Sequence, residues 1–272
     1  MTDLRDALVV ITGASSGIGR ETARQLARRG ARLALCARRR DRLEALKREL
    51  RGERGTGVLV QPCDVGDWAQ VATFARRVQT ELGSPDVLIA NAGRGAYGAI
   101  EALDPQVAHE VVATNLLGAV YCLRAFLPAM LARRSGRLVL VSSALGELPA
   151  PRNALYGATK FALTGLAESL TYELEDRGVG VTLVQPGLVR TEFAAVSGTP
   201  SQRFRQIPSK SAETVAAAIV EALERGRRRL TPDRAAAWAI ACRRHFPRLS
   251  RLVFAAFIRR MDRGDRTSCG DA

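Results

Sequence analysis

The chain has 272 residues, 47% hydrophobic, 25% charged and only 5% aromatic, and its 41 basic against 27 acidic side chains give a formal charge of +14. That hydrophobic fraction excludes a chain disordered throughout, and the length suits one large domain or two small ones with a substantial core. No apolar run approaches the length of a bilayer-spanning helix, and the N-terminus enters an apolar run too early for a secretory leader, so a cytoplasmic protein is expected.

Short apolar runs alternate with longer amphipathic stretches, which predicts βαβ units and a parallel sheet covered on both faces. The first run, Ala7 to Ile11, leads into Thr12-Gly13-Ala14-Ser15-Ser16-Gly17-Ile18-Gly19, and a helical pattern extends from Gly17 to Arg29. Gly13, Gly17 and Gly19 let the backbone turn sharply and approach a pyrophosphate, while the helix start offers N–H groups beside Ser15, Ser16 and Ile18. Alone, such a cluster also fits a tight strand-to-helix turn with no ligand.

The second run, Arg32 to Cys36, is followed by Ala37-Arg38-Arg39. An NAD site usually places an acid here for the ribose hydroxyls, but the first acid is Asp41, and Arg38 suits the 2′-phosphate of NADP. NADP(H) is therefore favoured over NAD(H); the competing reading is a solvated helix start. The third run, Gly57 to Val60, leads to Cys63-Asp64-Val65, with Asp64 an acceptor for the adenine amino group or an Asx turn. A helix is predicted over Trp68 to Glu81. The fourth run, Val87 to Ala90, leads to Asn91-Ala92-Gly93, a wall beside the adenosine ribose.

Further on, Asn115 lies on a helical pattern, and Ser143 follows the fifth run, Arg137 to Val141. Tyr156 and Lys160, four apart, share one helix face, where an ammonium would lower the phenol pKa. Tyr156 then suits proton donation to a carbonyl oxygen, Ser143 a hydrogen bond to that oxygen, and Asn115 a water relay to Lys160. Taken singly, these are more often a surface contact, a turn residue and a satisfied polar group. The sixth run is Val179 to Val184, and residues 192–210 read as a mobile loop.

With these motifs in this order, roughly residues 5–230 resemble a short-chain dehydrogenase/reductase. Thr12 to Gly19 matches the family's TGxxxGxG loop, Asn91 to Gly93 its NAG segment, and Asn115, Ser143, Tyr156 and Lys160 its catalytic tetrad. Pro186-Gly187 matches the turn after the sixth strand, and Val189 and Thr191 follow, the threonine at the position that touches the nicotinamide carboxamide. The resemblance implies a Rossmann-type doubly wound α/β fold and hydride transfer between NADP(H) and a carbonyl or alcohol. It implies that Tyr156 is the acid or base, that Ser143 polarises the oxygen, and that Lys160 binds the nicotinamide ribose and tunes Tyr156. It also implies a dimer or tetramer. A non-catalytic dinucleotide sensor or basic scaffold is the alternative.

Leu145, Leu148, Pro149, Leu188 and Phe193 are candidate substrate residues, mostly apolar, with Arg94 a candidate for an acid group or a solvated side chain. The five cysteines, Cys36, Cys63, Cys122, Cys242 and Cys269, lack metal-like or paired spacing, so reduced thiols and no metal site are expected. The expected division is a catalytic unit, 1–230, and a basic extension, 231–272, with a disordered end. Residues 225–272 hold 13 cations and 4 anions, a surplus of +9, against +5 for residues 1–224. Nucleic acid is therefore not expected as a partner. Helices are predicted around 211–225 and 233–263, the second broken at Pro247. Beyond it, Val253, Phe254, Phe257, Ile258 and Met261 share a face opposite Arg248, Arg251 and Arg259. Such a helix either lies on an anionic membrane surface or packs on protein.

Overall fold

The computed structural model describes residues 3–51, 57–199 and 208–254. The first half comprises β1 (Leu8–Thr12), α1 (Gly17–Arg28), β2 (Arg32–Ala37), α2 (Arg40–Leu50), β3 (Val58–Pro62), α3 (Trp68–Glu81) and β4 (Val87–Ala90). There follow α4 (Pro105–Val112), α5 (Gly118–Ala132), β5 (Gly136–Val141), α6 (Ala154–Leu174) and β6 (Val179–Val184). The remainder holds β7 (Val189–Arg190), α7 (Phe193–Val196), β8 (Lys210–Ser211), α8 (Ala212–Glu224), β9 (Arg229–Leu230) and α9 (Arg234–His245).

The main sheet is parallel in the order β3-β2-β1-β4-β5-β6-β9. The chain reverses its direction of winding between β1 and β4, where a crevice opens at the carboxyl ends of the strands. The six expected strands are all present. Every residue of β1 and β4 is buried, because helices cover both faces, so these strands read as unbroken apolar runs rather than alternating ones. One face packs on α3, α5 and α6 through Phe74, Phe126, Met130, Leu163 and Leu174. The other packs on α1, α2 and α8 through Leu26, Leu43, Leu46, Ile219 and Leu223.

The structure adds elements that the sequence did not announce. The seventh strand, β9, pairs Arg229 with Leu183 and Leu230 with Val184. Two residues cannot display a period of two. The 192–210 segment contains α7, and β8 pairs with β7. A π-helical turn, Ala113–Leu117, joins α4 to α5, making one 28-residue stretch, Pro105–Ala132, apolar and long enough by composition to cross a membrane. No such stretch was expected. Its Val111, Cys122, Phe126 and Met130 are core residues of the domain.

Asp233 caps α9, accepting the amide protons of Ala235 at 2.8 Å and Ala236 at 3.1 Å. The helix ends at His245 and helical backbone resumes over residues 247–254, so Pro247 breaks the pattern as anticipated. Ile240 packs on Ala144 and Leu148. The expected apolar face beyond Pro247 is split: Val253 is exposed with Arg248 and Arg251, whereas Phe254 turns to the domain. Phe257, Ile258, Arg259, Met261 and Cys269 lie outside the described residues.

Candidate active site

The glycine loop is shaped by close approach to the end of β4. Gly13 has φ +67°, and a Cβ there would stand 2.8 Å from Ala92 Cα. A Cβ on Gly19 would stand 2.5 Å from Asn91 Nδ2 and 2.6 Å from the Gly13 carbonyl. Asn91 Nδ2 donates to the Thr12 carbonyl at 2.9 Å, and the Asn91 and Ala92 amides donate to the Thr12 hydroxyl at 3.1 and 3.0 Å. Thr12 thus locks the loop to the neighbouring strand end, a role its place in the motif did not announce.

A cleft of about 670 Å³ opens along this switch point, a size suited to a small-molecule site. Gly13, Ser15, Ser16, Gly17, Ile18, Arg38, Asp64, Val65, Asn91, Ala92 and Gly93 line one end. Ser143, Tyr156, Lys160, Pro186, Gly187, Val189 and Thr191 line the other. A smaller cavity of about 300 Å³, with Arg137, Thr171, Glu175 and Arg228, lies at the amino ends of β5 and β6. Open glycine backbone, a basic end and a hydroxyl-bearing end make the larger cleft chemically fit for a dinucleotide.

At the basic end, Arg38 is exposed, and its neighbour Arg39 makes the contacts. Arg39 donates to the Ser15 hydroxyl at 3.2 Å and to the Ser16 hydroxyl at 2.8 Å. It also pairs with Glu192, which Arg42 reaches at 2.7 Å. Hydrogen bonds from Arg39 and then Arg42 hold the Glu192 carboxyl at about 2. Two adjacent arginines look alike in sequence, and nothing there ranked Arg39 above Arg38. Asp64 makes the Asx turn, one oxygen accepting the Gly66 amide at 2.9 Å, and still borders the cleft.

At the other end, Lys160 is buried on α6 and its Nζ donates to the Val141 carbonyl at 2.9 Å. Nζ lies 5.7 Å from the centre of the half-buried Tyr156 ring. The expected depression of the phenol pKa is not what the surroundings produce. Burial pushes Tyr156 up to about 12 against the opposing hydrogen bond with Ser143, and burial pushes Lys160 down to about 8. Desolvation outweighs the Ser143 hydrogen bond. The phenol is consequently protonated near neutral pH, as a proton donor must be.

Asn115 sits in the π turn, fully buried. Its Oδ1 accepts the Arg94 amide at 2.7 Å, while Nδ2 donates to the Arg94 carbonyl and the Thr159 hydroxyl, both at 2.9 Å. Thr159 in turn donates to the Tyr156 carbonyl at 2.8 Å. The Asn115 side chain braces the backbone after Gly93 against α6, and its Oδ1 and Lys160 Nζ both border Gly93, where a Cβ would stand 3.5 and 3.6 Å from them. Ser142 fixes the same helix by donating to the Lys160 carbonyl at 2.9 Å. Neither Ser142 nor Thr159 stood out in sequence, since each works through backbone contacts made by folding.

The Lys160 shift carries a stability signature. Between about pH 8 and its ordinary 10.5, the unfolded chain holds the proton that the folded chain has released, so stability rises through that window. Wild-type protein is expected to gain melting temperature relative to Lys160→Met as pH rises from 8 to 10.5. A constant difference across the window, measured by thermal unfolding, refutes the burial argument.

Leu145, Leu148, Pro149, Leu188 and Phe193 all border the cleft, and the Phe193 ring tilts against Tyr156 with centroids 5.6 Å apart. Arg94 does not border it: its guanidinium pairs with Glu110. The sequence missed a wall made by Asp233, Ala235, Ala236, Ala239 and Phe254. These residues follow the point at which the catalytic unit was expected to end.

A family profile described as short chain dehydrogenase matches residues 7–201. Dehydrogenase/reductase SDR family member 7B of Bos taurus is 40% identical over 196 residues, covering 70% of this chain and 60% of that protein. The chain therefore spans less than two thirds of that relative's length. Among solved structures, a short-chain dehydrogenase/reductase from Burkholderia phymatum in complex with NAD is similar with a TM-score of 0.85 and 27% identity, covering 92% of this chain and 96% of that one. A short-chain dehydrogenase from Sphingobium yanoikuyae in complex with NADPH gives a TM-score of 0.79 and 29% identity, covering 85% of this chain and 91% of that one.

Proposed function

This chain is a member of the short-chain dehydrogenase family, and from that premise we propose that it is an NADPH-dependent oxidoreductase interconverting a ketone or aldehyde with an alcohol on a hydrophobic substrate. The observation that carries the reading is the convergence of Tyr156, Ser143 and Lys160 on one end of a cleft whose other end is basic. The bound cofactor supplies the hydride. Tyr156 gives its phenolic proton to the substrate oxygen, and Ser143 donates a hydrogen bond to that oxygen as charge develops. Lys160 holds the nicotinamide ribose and supports Tyr156, while Asn115 steadies the helix that carries both. In the oxidative direction Tyr156 accepts the proton. Leu145, Leu148, Leu188 and Phe193 form an apolar bed for the substrate.

Family members bind either nicotinamide cofactor, so the preference rests on Arg38, Arg39 and Ser16 and on the lack of an acid directly after β2. The test is a panel of ketones, aldehydes and alcohols with each cofactor, followed by nicotinamide absorbance. Turnover of none overturns the reading.

The proposal extends to association. Exposed Val120 and Tyr172 on α5 and α6 favour a dimer or tetramer. Exposed Trp238 on α9, with exposed Phe246, Leu249 and Leu252 interspersed with Arg248 and Arg251 in the next stretch, favours a cytoplasmic location with peripheral attachment to an anionic membrane. Full-length protein is expected to float with vesicles containing phosphatidylserine at low salt, and Trp238→Glu/Leu249→Glu to stay in the soluble fraction. Wild-type protein that ignores the vesicles removes the membrane from the proposal.

A further inference from the structure

Glu147 lies one turn beyond Ser143 and is buried, with only 8% of its surface exposed. A carboxylate in such a place must be paired. Its Oε1 accepts from Gln185 Nε2 at 2.7 Å and pairs with Arg229, and its Oε2 accepts from Arg244 Nε at 2.8 Å. Arg229 Nε donates to Gln185 Oε1 at 2.8 Å. Arg244 and Arg229 also reach Glu168 on α6, at 3.2 and 3.4 Å. Two carboxylates and two guanidiniums thus balance around the fully buried Gln185 amide. They tie together the turn that carries Ser143, the end of β6 before Pro186-Gly187, β9, the helix of Tyr156 and Lys160, and α9.

The partner from α9 is Arg244, near the helix's end. Two weaker contacts act beside it: Ile240 against Ala144 and Leu148, and the Arg243 guanidinium 5.3 Å over the Phe161 ring. At the helix's other end, Asp233 lies over Gly187, so close that a Cβ there would stand 3.2 Å from it. Held at both ends, α9 turns Ala235, Ala236 and Ala239 toward the cleft. Alanine has no rotamer to swing aside. Phe254 completes this wall, and along α9 the width of the cleft is set by where the helix backbone lies.

We propose that Glu147 and Arg244 are positioning residues whose ion pair fixes α9 as the far wall of the substrate cleft, so that the size of substrate accepted depends on charges outside the reacting atoms. The inference rests on the reading of this cleft as a carbonyl reductase site. Its chemistry is that of steric selection: a bulky apolar ketone touches the alanine wall, and a small one bound at Tyr156 and Ser143 does not.

The test uses the full chain. In Arg244→Gln, amide exchange over residues 234–245 is expected to speed up about tenfold while that of α6 stays unchanged. KM for a bulky aryl ketone is expected to rise about tenfold with its kcat kept, and both constants for a small aliphatic ketone to stay as in wild type. Arg244→Lys restores part of each effect, because one ammonium replaces the fork that reaches both Glu147 and Glu168. Ala239→Leu leaves exchange in α9 normal but raises KM for the bulky ketone alone. Unchanged exchange in Arg244→Gln overturns the latch. An equal KM change for both ketones overturns the wall. If wild-type protein reduces no carbonyl compound, the functional reading and the size selection fall, while the exchange result still decides whether the ion pair holds the helix.

Discussion

Tyr156→Phe is expected to lower carbonyl reduction by about 10²–10⁴-fold, the usual contribution of a positioned proton donor, with cofactor affinity unaltered. The substitution removes one oxygen and keeps the ring that leans on Phe193 and lies near Lys160. Burial raises the phenol to about 12, so wild-type protein carries the transferable proton across the whole neutral range. Ser143 remains in the variant and can still polarise the substrate oxygen, so the loss stops short of complete. Initial rates with the best ketone, together with cofactor titration by intrinsic fluorescence, measure both sides. Equal turnover by the variant would mean that the proton comes from elsewhere.

The second large effect concerns the cofactor. Arg38→Asp should weaken NADPH binding by about 10–100-fold, the equivalent of losing one charge-assisted contact of roughly 1.5–3 kcal/mol, and leave NADH binding nearly intact. An acid at this position offers the ribose hydroxyls an acceptor and repels a 2′-phosphate. Arg39→Ala should lower NADPH affinity as well, because Arg39 is the side chain that sits on the Ser15 and Ser16 hydroxyls. Dissociation constants for both cofactors decide it: the same loss for NADPH and NADH in Arg38→Asp refutes a phosphate contact at that residue.

Much of this architecture was legible before folding. A strand buried on both faces must be apolar throughout, which made β1 and β4 visible. The glycine loop was legible because Gly13 at φ +67° and the crowded Gly19 tolerate nothing larger. What escaped was what depends on distant partners. The site of Asn115 is a π turn, which no periodicity announces. The direction of the Tyr156 shift depends on desolvation by walls assembled from several segments. The tail was read by its charge, which said nothing of its alanines bordering the cleft or of the contacts that Asp233 and Arg244 make with Gly187 and Glu147.

The ion pair between Glu147 and Arg244 also bears on what a shortened chain would lose. Asn91 meets Thr12 across 79 residues, within the first half of the chain. Arg244 follows Glu147 by 97 residues and comes from α9, which follows β9 of the sheet. A domain folds as a unit, and contacts of long sequence separation carry the larger loop-closure cost. A chain cut before Arg244 would keep both sides of the Asn91–Thr12 contact and lose the pair that holds α9, so the far wall of the cleft is a part of the fold that C-terminal truncation removes first.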